Sequence, residues 1–304
     1  MILSVVIVSW NTRELLRGCL ESLLASTHLA EIEVFVVDNA STDASQEMVR
    51  GAFPQVHLLE NSTNLGFARA NNQAIRQCSG RYILLLNSDT LVRPGALDAL
   101  VEFMDSHPSA GGCGARLLNP DGSLQASCSP APTLWGEFKR MFHFPGVRSD
   151  GYYQMDDWDQ STPRQVDVLL GACLLLRRQV LDQVGMLDEN YFIYSEEVDL
   201  CYRCRATGWE LFWVPTGEVV HYGGQSTRQV SEVMFIRLYE AKLIYFRKNH
   251  GRIKAFFYKL VLISASLFRL MLVPLAWLEK PPKRQAHLAL ASNYQRLLEN
   301  LPGM

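Results

Sequence analysis

Short apolar runs recur through the first two thirds of the chain, and each stops abruptly in polar residues. Val5-Val6-Ile7-Val8 ends in Ser9-Trp10-Asn11, Val34-Phe35-Val36-Val37 ends in Asp38-Asn39-Ala40-Ser41-Thr42-Asp43, and Tyr82-Ile83-Leu84-Leu85-Leu86 ends in Asn87-Ser88-Asp89-Thr90. Unbroken rather than alternating apolar runs predict strands buried on both faces. Between the first two runs, Leu15, Leu16, Cys19, Leu20, Leu23 and Leu24 fall on one face of a helix. Thr42 or Asp43 is placed to cap a second helix, and Asn64–Asn72 opens a third. Strands alternating with helices predict an α/β fold with a mostly parallel central sheet, whose polar strand ends share the edge where open sheets bind ligands.

The pattern continues past the third strand. Arg93-Pro94-Gly95 begins a helix that runs to about His107, and Gly111–Leu118 reads as a strand. Residues 119–165 lose periodicity and are rich in Pro, Gly, Ser and aromatics, which fits a folded excursion over the active-site edge or a variable surface loop. Leu169–Leu176 predicts one strand, Tyr191–Arg203 enters a helix that Ser195 can cap, and Trp209–Pro215 predicts a short strand before the Gly-rich stretch Val219–Arg228.

Composition narrows the class. A chain of 304 residues that is 48% apolar and 10% aromatic can bury a full core, as one large α/β domain with an appendage. The seven cysteines are scattered and odd in number, which predicts reduced, buried thiols; Cys201-x-x-Cys204 has no second pair and reads as packing. Met1 leads straight into a strand, which predicts a cytoplasmic protein. No G-x-G-x-x-G follows the first strand and no Walker A motif occurs, which argues against a Rossmann oxidoreductase or a nucleotidyltransferase.

Charge is unevenly distributed. From Arg228 onward there are 13 basic and 4 acidic residues, against 16 basic and 27 acidic before it. The basic residues of the tail are interleaved with apolar runs, above all 255–278, a pattern that suits a membrane surface better than nucleic acid. Lys259, Arg269 and Pro274 interrupt that run, so an interfacial helix is favoured over a span or a core helix.

Candidate chemistry gathers at the strand ends. Asn87 and Asp89 are two residues apart, so an extended chain points both the same way, and both offer the hard oxygen ligands that Mg²⁺ or Mn²⁺ prefers; Asn-Ser-Asp is also ordinary turn chemistry. Glu196 and Glu197 open a helix, where acids commonly balance the dipole.

Taken together, VDNASTD (37–43), NLGFARANN (64–72) and LLLNSD (84–89) resemble family 2 glycosyltransferases, most of all the bacterial branch that includes rhamnosyltransferases of surface polysaccharide assembly. The resemblance covers about residues 3–228. It implies a GT-A (Rossmann-like) domain over 1–228 and a helical C-terminal appendage over 229–304. It also implies an inverting hexosyltransferase that moves a sugar, with rhamnose a candidate, from a dTDP- or UDP-sugar to a hydroxyl of a saccharide or lipid-linked saccharide, dependent on Mg²⁺ or Mn²⁺. The family's metal position falls on Asp89, with Asn87 and His221 assisting. Its nucleotide-sugar contacts fall on Ser9, Asn11, Asp38, Gly66, Arg69, Asn71, Asn87, Ser88 and Arg228. The family usually has Glu-Asp where this chain has Glu196-Glu197; the general base falls on Glu197 and a sugar-binding acid on Glu196, or the reverse. Arg203 and Arg228 are candidates to neutralise phosphate, although Arg203 equally suits an i, i+4 pair with Asp199. A lone His in a Gly-rich loop also suits a structural role for His221. The implied setting is peripheral, on the inner face of the cytoplasmic membrane, with a homo-oligomer compatible and nucleic acid not expected; the non-enzymatic alternative is a nucleotide-sugar-binding partner subunit.

Overall fold

A computed structural model of the protein describes residues 1–26 and 31–304, with the side chains of Thr227 and Arg228 outside the description. The chain forms two compact units, one of Met1–Ala131 and Tyr152–Gln229 and the other of Pro132–Gly151 and Val230–Met304.

The first unit alternates strand and helix: β1 (Leu3–Ser9), α1 (Arg13–Ser26), β2 (Ile32–Asp38), α2 (Ser45–Ala52), β3 (His57–Glu60), α3 (Phe67–Ile75), β4 (Tyr82–Asn87), β5 (Thr90–Val92), α4 (Ala96–Ser106), β6 (Ala110–Leu118) and β7 (Cys128–Ser129). After α5 (Leu134–Met141), which belongs to the second unit, it resumes with β8 (Arg164–Gln165), β9 (Val168–Leu169), β10 (Cys173–Arg177), α6 (Arg178–Val184), α7 (Glu196–Ala206) and β11 (Glu210–His221). The main sheet has the order β3-β2-β1-β4-β10-β6-β11-β5, with β8 on β11. β3, β2, β1 and β4 are parallel; β10 runs antiparallel between β4 and β6, and β11 is parallel to β6.

Both faces of this sheet are covered, as the unbroken apolar runs require. Val5, Ile7, Val34, Val36, Leu84 and Leu86 pack on one side with Leu16 and Leu20 of α1 and Leu97 and Leu100 of α4. Val6, Phe35, Val37, Ile83 and Leu85 pack on the other with Ala68 and Ala74 of α3 and Leu200 and Cys201 of α7. All seven cysteines are buried and unpaired, and Cys201 and Cys204 lie in the core on the α7 side of the sheet.

Three local expectations are corrected. Leu169–Leu176 is two strands, because at Leu170 the backbone N–H turns to the Ser127 carbonyl (2.9 Å) and at Ala172 the carbonyl accepts the Asn87 N–H (3.0 Å). β9 thereby pairs with β7 in a separate ribbon while β10 enters the main sheet. The short strand at Trp209–Pro215 continues to His221, and the register shift between Val214 and Glu218 absorbs Pro215, which has no N–H for the ladder. Residue Ala44, in the left-handed region at φ 62°, is the N-cap of α2; Asp43 serves from one residue further out, its Oδ1 accepting the Ser45 N–H at 3.2 Å.

The second unit holds α5, α8 (Ser231–Met271) and α9 (Pro281–Asn300). α8 is broken at Gly251, where φ is 87°. Thr133 caps α5 by accepting the Gly136 N–H at 3.0 Å. Within this unit Glu137 is buried and accepts from Arg140 Nη2 (2.6 Å) and Lys242 Nζ (2.8 Å). Burial pushes the Glu137 carboxyl up, but the two cations outweigh it and bring the pKa down to about 2. A folded pKa below the unfolded one stabilises above the unfolded value, and that contribution is lost as pH falls towards the folded value. Lys242→Ala is therefore expected to cost on the order of 3 kcal/mol in chemical denaturation at pH 7. The difference from the parent should shrink when the same measurement is made at pH values falling from the unfolded carboxyl value of about 4.5 towards 2.

Candidate active site

Parallel register brings the polar strand ends to one edge. Ser9 pairs with Asp38, and Val8 with Asn87, so the last residues of β1, β2 and β4 finish together. Ser9 Oγ lies 3.0 Å from Thr12 Oγ1, which lies 3.0 Å from Ser88 Oγ, and this hydroxyl chain ties β1 to the turn after β4. Asp38 is buried; its Oδ1 accepts the Ser41 N–H (2.9 Å) and Gln46 Nε2 (2.6 Å), while Oδ2 is buried without a partner among the described residues. Asn11, at φ 51°, accepts the Thr42 N–H at 2.8 Å and holds the loops after β1 and β2 together. Buried Asn39 accepts the Leu65 N–H (2.9 Å) and donates to Asn64 Oδ1 (2.8 Å), fixing the approach to α3.

That approach is tight. Gly66 has φ 83°, and a Cβ there would stand 2.4 Å from the Phe192 carbonyl oxygen, which accepts the Phe67 N–H at 2.6 Å. Gly66 thus sets α3 against the segment leading into α7. Asn71 is buried and donates to the Phe67 carbonyl of its own helix at 2.9 Å. Arg69 is more than half exposed and lies 3.9 Å from Glu189. Arg203 makes the i, i+4 pair with Asp199 (Nε, 2.8 Å) and is held by the chain around it, Nη1 reaching the Val184 carbonyl (2.5 Å) and Nη2 the Met186 carbonyl (2.8 Å). The side chain of Arg228 lies outside the described residues.

Asp89 and His221 form the polar centre. Antiparallel pairing of β5 with β11 sets His221 against Thr90, and the Tyr222 N–H donates to the Asp89 carbonyl at 2.9 Å. His221 Nδ1 is 2.6 Å from Gln125 Oε1, an acceptor only, so Nδ1 carries a proton. Nε2 then faces Asp89 Oδ1 at 3.3 Å and the Asn87 amide at 3.3 Å. Gln125 also donates to the His221 carbonyl at 3.0 Å, gripping ring and backbone together. Burial pushes the Asp89 carboxyl up, but the hydrogen bond and charge of His221 and the Gln225 amide hold it below its ordinary value. Left-handed Gly223 and Gly224 turn the chain back, so that Ser226 Oγ reaches the Trp10 carbonyl (3.2 Å) and Gln229 Nε2 the Asn11 carbonyl (3.1 Å).

A second acidic group stands at the start of α7. Tyr194 and Ser195 both have positive φ (70° and 64°), a strained entry for residues with side chains. Ser195 makes no side-chain cap, contrary to expectation; at this φ it turns the chain and leaves Glu196 and Glu197 as the first helical residues. Each has an Oε2 atom buried without a partner among the described residues. Burial pushes both carboxyls above the ordinary range, and the Glu197 charge adds to the effect on Glu196. A Cβ at Gly171 would lie 3.8 Å from Glu197 Cβ and 3.9 Å from the Phe67 ring, so Gly171 leaves room beside the carboxylate. One residue on, the Ala172 carbonyl takes the Asn87 N–H, and this backbone step links the acid pair to the Asn87–Asp89 turn.

Among the described residues no three His, Cys, Asp or Glu side chains converge as a metal set. The site instead presents two such groups, Asp89 and His221, beside the Asn87 amide. A carboxylate, an amide and an imidazole whose far nitrogen is oriented by a second residue fit a divalent ion such as Mn²⁺. Sequence reasoning missed Thr12, Asn39, Gln125 and Gly171, whose roles depend on partners distant in the chain.

Residues 4–185 match the family Glycosyl transferase family 2. The N-acetylglucosaminyl-diphospho-decaprenol L-rhamnosyltransferase of Mycobacterium tuberculosis is 35% identical over 225 residues, covering 68% of this chain and 73% of that protein. A Pyrobaculum calidifontis mannosyltransferase solved with GDP-Man and Mn²⁺ superposes with a TM-score of 0.60 at 18% identity, covering 98% and 84% of the two chains. GalNAc-T7, solved with UDP, GalNAc and Mn²⁺, superposes with a TM-score of 0.55 at 16% identity, covering 73% of this chain and 44% of that one. The fold is that of the GT-A glycosyltransferases. The chain belongs to glycosyltransferase family 2 and is a glycosyltransferase.

Because only glycine accepts both the backbone angle and the contact at position 66, Gly66→Ala is expected to destabilise the first unit by about 2–4 kcal/mol, combining left-handed strain with overpacking. Urea denaturation followed by tryptophan fluorescence measures it.

Proposed function

We propose that this enzyme is an inverting hexosyltransferase that takes a sugar from a nucleoside-diphosphate donor and places it on a hydroxyl of a saccharide carried by a lipid diphosphate, with a divalent ion bound. Rhamnose is the first sugar to test. The observation that carries the reading is the gathering, about one sheet edge, of Asp38 with its Oδ2 unpartnered among the described residues, the Asp89–His221 pair, and the buried carboxyls opening α7, each with an unpartnered Oε2 and tied to that edge through the Gly171–Ala172 step. The mycobacterial relative's name supports the sugar and the lipid-diphosphate acceptor. The Mn²⁺ and nucleotides in the two structural neighbours support the donor class and the ion.

Asp38 Oδ2 accepts a hydrogen bond from the nucleoside, and the Ser9 and Ser88 hydroxyls line the adjoining strand ends. Asn11 and Gly66 hold the loops that frame the donor; Asn71 and Arg69 stand as further donor contacts, and Arg228 as a phosphate partner. Asp89, with His221 and Asn87, would hold Mn²⁺ or Mg²⁺. When bound, the ion acts as a Lewis acid that stabilises charge on the departing diphosphate. Gln125 accepts the Nδ1–H of His221 and so keeps Nε2 aimed at that place. Glu197 removes the proton from the acceptor hydroxyl as that oxygen attacks the anomeric carbon from the face opposite the leaving group, which inverts the configuration. A carboxylate with a raised pKa is a stronger base, and Gly171 leaves space for the acceptor beside it. Glu196, more deeply buried and disfavoured as an anion next to Glu197, keeps its proton more readily and donates to a sugar hydroxyl.

Asp89→Asn keeps the side-chain shape while removing the anionic ligand. It is expected to abolish Mn²⁺ binding in calorimetry and to lower transfer by about 10²–10³-fold. Full turnover with intact Mn²⁺ binding would reject the ligand assignment.

Glu197→Gln should leave donor affinity unchanged and lower the transfer rate by about 10²–10⁴-fold. In the parent enzyme the rate should fall as pH drops through a value above the ordinary carboxylate range, because the base must be ionised. If Glu196→Gln shows that loss while Glu197→Gln stays active, the two roles are exchanged.

A further inference from the structure

The second unit presents an apolar strip that its own helices leave uncovered. Beyond the break at Gly251, α8 buries Ala255, Tyr258, Leu262, Ala265 and Ser266 on one face. On its other side Ile253, Phe257, Leu260, Leu267 and Met271 are exposed at helical spacing, and Leu275, Trp277 and Leu278 continue the exposure past the helix end. Soluble proteins seldom leave so long a contiguous apolar surface open.

The two cations that interrupt this run in the sequence do not interrupt the strip. Lys259 Nζ turns to the Met304 carbonyl at 3.4 Å. Arg269 Nη2 turns to the Met141 carbonyl at 3.3 Å, with its guanidinium 5.9 Å from the centre of the Tyr294 ring. Among the described residues, the exposed positions between Lys254 and Lys280 therefore carry no charge. Charge returns at both ends and, apart from Glu279, which lies 3.1 Å from His287 Nδ1, it is positive: Arg247, Lys248, Arg252 and Lys254 before the strip, Lys280 and Lys283 after it, all exposed.

We propose that this strip seats the protein on an anionic lipid bilayer, with the second half of α8 lying in the plane of the interface. An apolar strip with cationic ends matches the acyl boundary and the anionic headgroups on either side of it. A second copy of the chain would bring like charges together at both ends. Spanning would place Lys259, Arg269 and the buried Tyr258 and Ser266 face at bilayer depth, whereas an interfacial helix keeps that face packed against the unit's own helices. The proposal concerns a binding surface and stands apart from the assignment of catalytic groups.

The test uses the full chain. It is expected to co-sediment with vesicles containing phosphatidylglycerol and much less with pure phosphatidylcholine, to be weakened but not released at 1 M salt, and to be extracted by alkaline carbonate. Phe257→Glu with Leu260→Glu, both at exposed positions, should lower partitioning by about tenfold or more while leaving the thermal melt unchanged. Sedimentation equilibrium of the parent should show a monomer. No binding to anionic vesicles, unchanged binding of the double variant, carbonate resistance, or a dimer that the double variant dissolves would each overturn the proposal.

Discussion

The site rests on the parallel pairing of β2, β1 and β4. Parallel strands reach their C-terminal ends on the same side, and here the register sets Ser9 beside Asp38 and Val8 beside Asn87. No single strand brings more than a few polar groups to the edge. Three of them ending in step gather a cluster there, and the burial of both sheet faces holds that step, since a shift of one residue would exchange Val6 and Leu85 with Val5 and Leu84 between two different cores.

What the parallel strands begin, the antiparallel ones complete. β10 between β4 and β6 carries the Gly171–Ala172 step to the strand edge, where it meets both Asn87 and Glu197. β11, pairing with β5, returns His221 to Asp89 across 132 residues of chain. Gln125 then fixes which way the imidazole faces. The contacts of the site come from many different elements, and among the described residues they leave buried oxygens of Asp38, Glu196 and Glu197 without a partner.

Polar groups are handled differently in the second unit. Glu137 is buried but fully engaged by Arg140 and Lys242, an arrangement that holds α5 on α8 and asks for no ligand. The carboxyls of Glu196 and Glu197 are buried with oxygens left over. Partners present mark the first as a structural pin, whereas the second is the pair proposed for the transfer chemistry.

Much of this was legible in the sequence, because the information was local. Unbroken apolar runs identified β1, β2 and β4 and their double burial, and the polar residues after each run marked the edge. The resemblance of VDNASTD, NLGFARANN and LLLNSD to family 2 glycosyltransferases named the class, and the family comparison bears it out. Tertiary structure decided what depends on distant partners. It divided the apolar run at Leu169–Leu176 by giving Leu170 and Ala172 hydrogen-bond partners in different segments, and it spent Arg203 on the carbonyls of the turn before α7. It also gave His221 its orientation through Gln125 and turned Lys259 and Arg269 inward. Composition and period report which face of an element is apolar; only the packed fold fixes which buried polar atom finds a partner, because a hydrogen bond is set by a distance and an angle that no run of residues encodes alone.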